Sequence, residues 1–188
     1  MNRDRLLSAL RQHAPFNTDE HSHLVRLEGF LDGAPEPFSR QNLALGSDGH
    51  ITGSAALLNA TGDAMALIWH EKLSRWLQPG GHCEPEMDGT VTATARRELL
   101  EETGLPESAI ELKVGVPFDV DVHYIPARPD GSEPGHYHYD VRFLFQLTEP
   151  VEFPNGVKAK WVSLSEAASL DDDSVARLAK KAQDIIAA

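Results

Sequence analysis

GGHCEPEMDGTVTATARRELLEETGL, residues Gly80–Leu105, sets a glycine pair at one end and three carboxylates, Glu98, Glu101 and Glu102, at the other. On a helix advancing about 100° per residue, positions i, i+3 and i+4 share one face, so the three acids point the same way. Leu99 and Leu100 lie roughly opposite, which lets one side of the helix bury against a sheet while the other presents charge. Three like charges this close repel, and a hard divalent cation with oxygen ligands relieves the repulsion while recruiting phosphate oxygens. Gly104 supplies a C-terminal stop and Pro106 prevents continuation, so the spacing predicts a helix over about 90–103.

Working outward, ITGSAALLN and AMALIWH are apolar runs separated by Ala60-Thr61-Gly62-Asp63, which reads as a hairpin. Trp76-Leu77 leads into the glycine turn. After the acidic helix, ELKVGVPFDVDVHYIP and HYHYDVRFLFQL carry strand alternation on either side of a polar loop over 127–135. KAKWVSL is a final short strand, followed by a helix with Val175, Leu178, Ala179, Ala182, Ile185 and Ile186 as its stripe. At the other end, helical periodicity runs over about 3–32, with Leu6, Leu7 and Leu10 on one face and Leu24, Leu27 and Leu31 on another. Strands before and after a central helix, with a helix closing the chain, predict an α/β fold with a mixed sheet between helical layers.

At 188 residues the chain suits one compact domain. A formal net charge of -12 argues against unaided binding to nucleic acid or an anionic membrane, while a small anion chelated to metal stays compatible. A single cysteine, Cys83, excludes an internal disulfide framework and suits a reducing cytosol; packing beside the glycine turn is its plain reading. The apolar run in MNRDRLLSALRQHAP is too short for a secretory signal, and no segment has the ~18 apolar residues of a membrane helix. The expectation is a cytoplasmic protein with no membrane and no nucleic-acid partner.

The segment from Arg97 to Leu105 matches, without a gap, the second half of the Nudix box, and on these residues the chain resembles the Nudix hydrolase family. The first half departs from the pattern. Counting the family spacing forward from Gly81 reaches Met87, and counting back from Arg97 reaches Gly89, so the loop is longer by two residues. Glu84, Glu86 and Asp88 all remain candidates for the early acid; Asp88 is preferred because an acid near the helix start complements the dipole. The resemblance extends over about 50–187, where a Trp161-Val162-Ser163-Leu164 strand precedes the last helix, and it implies an α/β/α sandwich with a central mixed sheet. Residues 1–40 fall outside it as an N-terminal helical extension, leaving 41–188 as the hydrolase domain.

The resemblance implies that Glu98, Glu101, Glu102 and the Gly81 carbonyl hold Mg2+ or Mn2+, and that the protein cleaves the diphosphate linkage of a nucleoside diphosphate derivative by water attack on phosphorus. Arg97, four residues before Glu101, can pair with it along the helix, and Glu101 and Arg97 are the catalytic candidates. For substrate contact, alternation puts His136, His138, Asp140 and Arg142 on one strand face, with Asp119, Asp121 and His123 alternating likewise on the preceding strand. A face of this kind is often only solvent-exposed; His136 and His138 also admit a second metal. Trp76 and Tyr124 are candidates to stack on a base, with core or rim packing as the alternative. Two other readings share the scaffold: a non-catalytic nucleotide sensor, and a prenyl diphosphate isomerase, for which Cys83 is the only cysteine available. A homodimer is compatible with the family, though no residue here argues for one.

Overall fold

The N-terminal periodicity resolves into two helices, α1 (Arg3–Leu10) and α2 (Thr18–Gly33). The break has local causes: Pro15 cannot continue a helix, and the Asn17 side chain accepts the Glu20 N–H at 2.9 Å to cap a new one. The structure, a computed structural model, describes residues 1–187. The remaining elements are strands β1 (Gly49–Leu58), β2 (Ala64–His70), β3 (Arg75–Leu77) and β4 (Gly80–His82), helix α3 (Val91–Thr103), strands β5 (Ile110–Leu112), β6 (Asp119–Ile125), β7 (His136–Leu147) and β8 (Ala159–Ser163), and helices α4 (Leu164–Ala167) and α5 (Asp173–Ala187). All eight strands join one sheet in the order β3-β2-β1-β7-β5, with β4 on β1, β6 on β7 and β8 on β2. A sheet flanked by helices is the α/β class expected from the order of elements.

By contacts the chain divides into two compact units. The first comprises Met1–Gly53, Gly81–Thr94 and Val116–Arg142. Its apolar centre includes Leu6, Leu10, Leu24, Leu27 and Leu31, all buried. Helix α2 lies along β6, and two of its side chains take over hydrogen bonds that another strand would otherwise make: Val120 N donates to Glu20 Oε1 at 3.2 Å and Val122 N to His23 Nδ1 at 3.1 Å. The N-terminal extension thus caps the free edge of β6.

The second unit comprises Ser54–Gly80, Ala95–Gly115 and the chain from Phe143. The hairpin expected around Gly62 is present, with Leu58 opposite Met65 and Gly62 at φ 80°. Strand β8 pairs antiparallel with β2, and α4 packs on α5 and on β2. On α5, Val175, Leu178, Ala179 and Ala182 are buried, but the stripe ends before Ile185 and Ile186, which are 46% and 49% exposed. Helix α3 closes as its sequence indicates, with Gly104 at φ 64° donating to Leu100 O at 2.9 Å. Among the described residues no helix is long and apolar enough to cross a membrane.

Candidate functional site

In the second unit, the acidic helix turns Leu99 fully inward while Glu101 stays exposed and Glu98 and Glu102 are part-buried. Arg97 Nη1 binds Glu98 Oε1 at 2.9 Å and Glu101 Oε2 at 3.2 Å, so one guanidinium positions two of the acids. Glu102 has a different partner: the Gly80 N–H donates to its Oε2 at 2.9 Å. Burial, followed by the like charges of Glu98 and Glu101, pushes the Glu102 carboxyl up to about 7 despite that hydrogen bond. Such a group is short of positive charge, and a set of three carboxylates suits a hard divalent ion.

Gly80 is required here by close approach. A Cβ at this position would lie 2.8 Å from Ser54 Cα, so only glycine lets the chain pass close enough to β1 for the amide to reach Glu102. Gly81 is the next residue along β4. Arg96 runs as a snorkelling side chain, its guanidinium 5.3 Å from the Phe145 ring and donating to Ile110 O at 3.3 Å. Trp76 is packed edge-on against Trp69, centroids 5.4 Å apart, with Lys160 Nζ 4.4 Å from its ring.

The first unit holds the strand-face candidates. The register pairs Asp119 with Arg142, Asp121 with Asp140 and His123 with His138, so the two alternating patterns meet across β6 and β7. Arg142 is 1% exposed and its guanidinium is divided among Asp140 Oδ2 at 2.8 Å, Asp119 Oδ1 at 3.0 Å and Asp121 Oδ2 at 3.3 Å. Burial alone would raise Asp121, but the Arg142 charge, then the hydrogen bond from His123, hold it far below the usual carboxylate range. Thr52 Oγ1 donates to Asp140 Oδ1 at 2.9 Å. Tyr124 is largely exposed, its ring 5.2 Å from that of Tyr137.

Near that ion network the imidazoles of His50, His136 and His138 cluster, with ring centroids 4.9–5.2 Å apart. His82 lies 5.1 Å from both His50 and His138, and His123 lies 5.4 Å from His138. Both ring nitrogens of His50 and the Nε2 atoms of His136 and His138 are buried without a hydrogen-bond partner among the described residues, each at a cost of about 1–3 kcal/mol. Burial first, then neighbouring charge, brings His50 down to about 3 and His138 to about 2. No local motif marks His50 or His82. His50, Thr52 and Ser54 do alternate as polar residues in an otherwise apolar strand, and that period of two was the available signal.

The early-acid candidates separate clearly. Asp88 is buried and accepts from Glu84 N and Thr94 Oγ1, both at 2.9 Å, which ties the longer loop to the first turn of α3. Glu84 and Glu86 are exposed. Cys83 is buried, consistent with packing beside the turn.

Comparison with known proteins identifies the family. The NUDIX domain family model matches residues 50–184, and the chain belongs to that family. A curated relative, "Probable DHNTP pyrophosphohydrolase" of Lactococcus lactis subsp. cremoris (strain MG1363), is 34% identical over 96 residues, which is 51% of this chain and 54% of the relative. The chain therefore aligns with about half the length of that relative. Among solved structures, the C. elegans Ap4A hydrolase superposes with a TM-score of 0.54 at 17% identity, covering 73% of this chain and 98% of that one. The NUDIX domain of Shewanella oneidensis NrtR, complexed with ADP ribose, gives 0.51 at 16% identity, covering 84% and 97%. Likeness at these identities establishes the fold. Helices α1 and α2 precede the family match.

Proposed function

We propose that the protein is a divalent-metal-dependent pyrophosphohydrolase acting on a nucleoside diphosphate derivative or a related compound with a diphosphate chain. The observation that carries this reading is the carboxylate set of α3, Glu98, Glu101 and Glu102, with Glu102 anchored to the Gly80 amide and its carboxyl raised to about 7. Glu98, Glu101 and Glu102, with the Gly81 carbonyl, are the assigned ligands for Mg2+ or Mn2+. When bound, the ion supplies positive charge for the diphosphate oxygens and acidifies a water.

The chain's own groups do the positioning. Arg97 holds Glu98 and Glu101 in place, and the Gly80 N–H fixes Glu102. Glu101, 58% exposed at its side chain, is the acid most open to an incoming water and is retained as the base candidate. Arg142 is fully committed to three aspartates, so we assign it to organising the β6–β7 face rather than to gripping phosphate. Asp140 shares that structural role, whereas Trp76, packed against Trp69 and Lys160, is retained as the stacking candidate.

The test is product analysis with Mg2+ present on a panel that includes DHNTP, Ap4A and ADP-ribose, compounds that the relative and the fold neighbours name, with nucleoside triphosphates and nucleotide sugars added. Cleavage of a diphosphate bridge, lost on chelation and in Glu102→Gln, supports the proposal. A folded preparation that binds one of these compounds and cleaves none would replace it with a nucleotide sensor.

A further inference from the structure

We propose that His50, His136 and His138 form a binding site for one divalent transition-metal ion of the Zn2+ type, distinct in chemistry from the carboxylate set of α3. One donor nitrogen from each of the three rings lies within 4.8 Å of the other two. Zn–N bonds of about 2.0–2.1 Å in a tetrahedral site put nitrogens roughly 3.4 Å apart, so side-chain rotations of about 1 Å close the set. His136 and His138 alternate on β7 and face the same way, and His50 comes from β1, so two rigid strands supply all three ligands.

The hydrogen bonding selects the ligand atoms. His136 Nδ1 lies 2.8 Å from Pro134 O, an acceptor only, so Nδ1 carries the proton and Nε2 keeps its lone pair. That Nε2 is buried and unpartnered, as are Nε2 of His138 and both nitrogens of His50, and His50 and His136 are 1% and 2% exposed. Three imidazoles, each with a buried, unpartnered nitrogen and each offering one donor to the same small space, lack a partner, and a cation with affinity for nitrogen is the partner that satisfies three rings at once.

Donor type excludes Mg2+, which demands oxygen, and favours Zn2+, Co2+, Ni2+ or Cu2+. Three imidazoles leave a fourth position. His82 stands 5.1 Å from both His50 and His138, and His123, held by Asp121 at 2.9 Å, lies 5.4 Å from His138, so two further histidines adjoin the site.

The experiment titrates chelator-stripped protein with Zn2+ by calorimetry and with Co2+ by visible absorption, both in excess Mg2+ to occupy the carboxylates. The expected result is one tightly held ion per chain, a Co2+ spectrum typical of four-coordinate nitrogen ligation, affinity reduced at least about a hundredfold in His50→Ala and in His138→Ala, and little change in Glu98→Gln. Ring-nitrogen NMR of the unmodified protein covers the case in which a variant misfolds: one equivalent of Zn2+ shifts His50, His136 and His138. Zn2+ displaced by Mg2+, binding retained in both folded histidine variants, or shifts confined to other histidines would overturn the proposal.

Discussion

The Gly80 amide donates to Glu102 Oε2 at 2.9 Å, so the glycine turn and the acidic helix meet at one carboxylate. Glu102→Gln keeps an oxygen in place for that amide but exchanges a charged ligand for a neutral one, which a hard cation binds poorly. Turnover is expected to fall at least about a hundredfold with little change in thermal midpoint. Activity within a fewfold of the parent protein would remove Glu102 from the metal set.

Gly80→Ala separates geometry from charge. Its new Cβ meets Ser54 backbone at 2.8 Å, so β1 and the turn must move apart. Overpacking of this kind costs about 1–3 kcal/mol, and urea denaturation should report it. Because the displaced amide no longer reaches Glu102, Mg2+ dependence should weaken as well, an effect unrelated destabilisation would not produce.

Arg142 carries a different kind of stability. Its guanidinium serves Asp119, Asp121 and Asp140, and its removal strands buried carboxylates. Arg142→Met is expected to lose about 3–5 kcal/mol in equilibrium unfolding. Arg142→Lys should recover only part of it, since a single ammonium cannot match three acceptors spread around a planar fork.

These residues also mark what could be read without coordinates. The alternation of Asp119-x-Asp121-x-His123 and His136-x-His138-x-Asp140-x-Arg142 announced two polar strand faces, and their register unites them. What alternation cannot give is depth. A polar face beside an unknown neighbour reads as solvent-facing or as substrate-facing, and burial of Arg142 follows only once β6 delivers its aspartates. His50 was hidden for a similar reason, since its meaning depends on a strand more than eighty residues away in sequence. The carboxylates of α3 were legible because their spacing is local. The N-terminal helices were legible too, but not their task, because Glu20 and His23 act on backbone amides of β6, which leave no mark in sequence.

Loop 126–135 supplies a pH dependence. Glu133 is hydrogen-bonded by Arg40 and, at 2.8 Å, by Arg128, and these bonds bring its carboxyl down to about 2. A depressed folded pKa means that the unfolded chain takes up a proton first, so this contribution is complete above about 4.5 and disappears as pH falls toward 2. Both arginine side chains are about half exposed, and solvent screening limits the contribution to about 1 kcal/mol. Unfolding curves of the parent protein and Glu133→Gln should therefore differ by a constant amount above pH 5 and converge near pH 2. A gap that persists at pH 2 would assign the stabilisation to packing.

Glu20 tests whether the N-terminal extension is integral to the fold. The carboxylate is fully buried, 2.8 Å from His13 Nε2, and accepts from Phe16 N at 2.5 Å and Val120 N at 3.2 Å, while the far side of the His13 ring reaches Pro117 O at 2.8 Å. One side chain thus joins the α1–α2 connection to the start of β6. Glu20→Ala removes the acceptor from His13 Nε2 and from the Phe16 and Val120 amides, and a loss of about 3 kcal/mol is expected on that count. Hydrogen exchange locates the effect: the Val120 amide should lose protection to a greater degree than amides of β2, whose ladder with β8 is untouched. Glu20→Gln, which retains an acceptor oxygen, should fall between the two. Equal loss of protection in β2 and β6 would mean that the edge cap fails only together with the whole fold, and that α1 and α2 are inseparable from the sheet they cover.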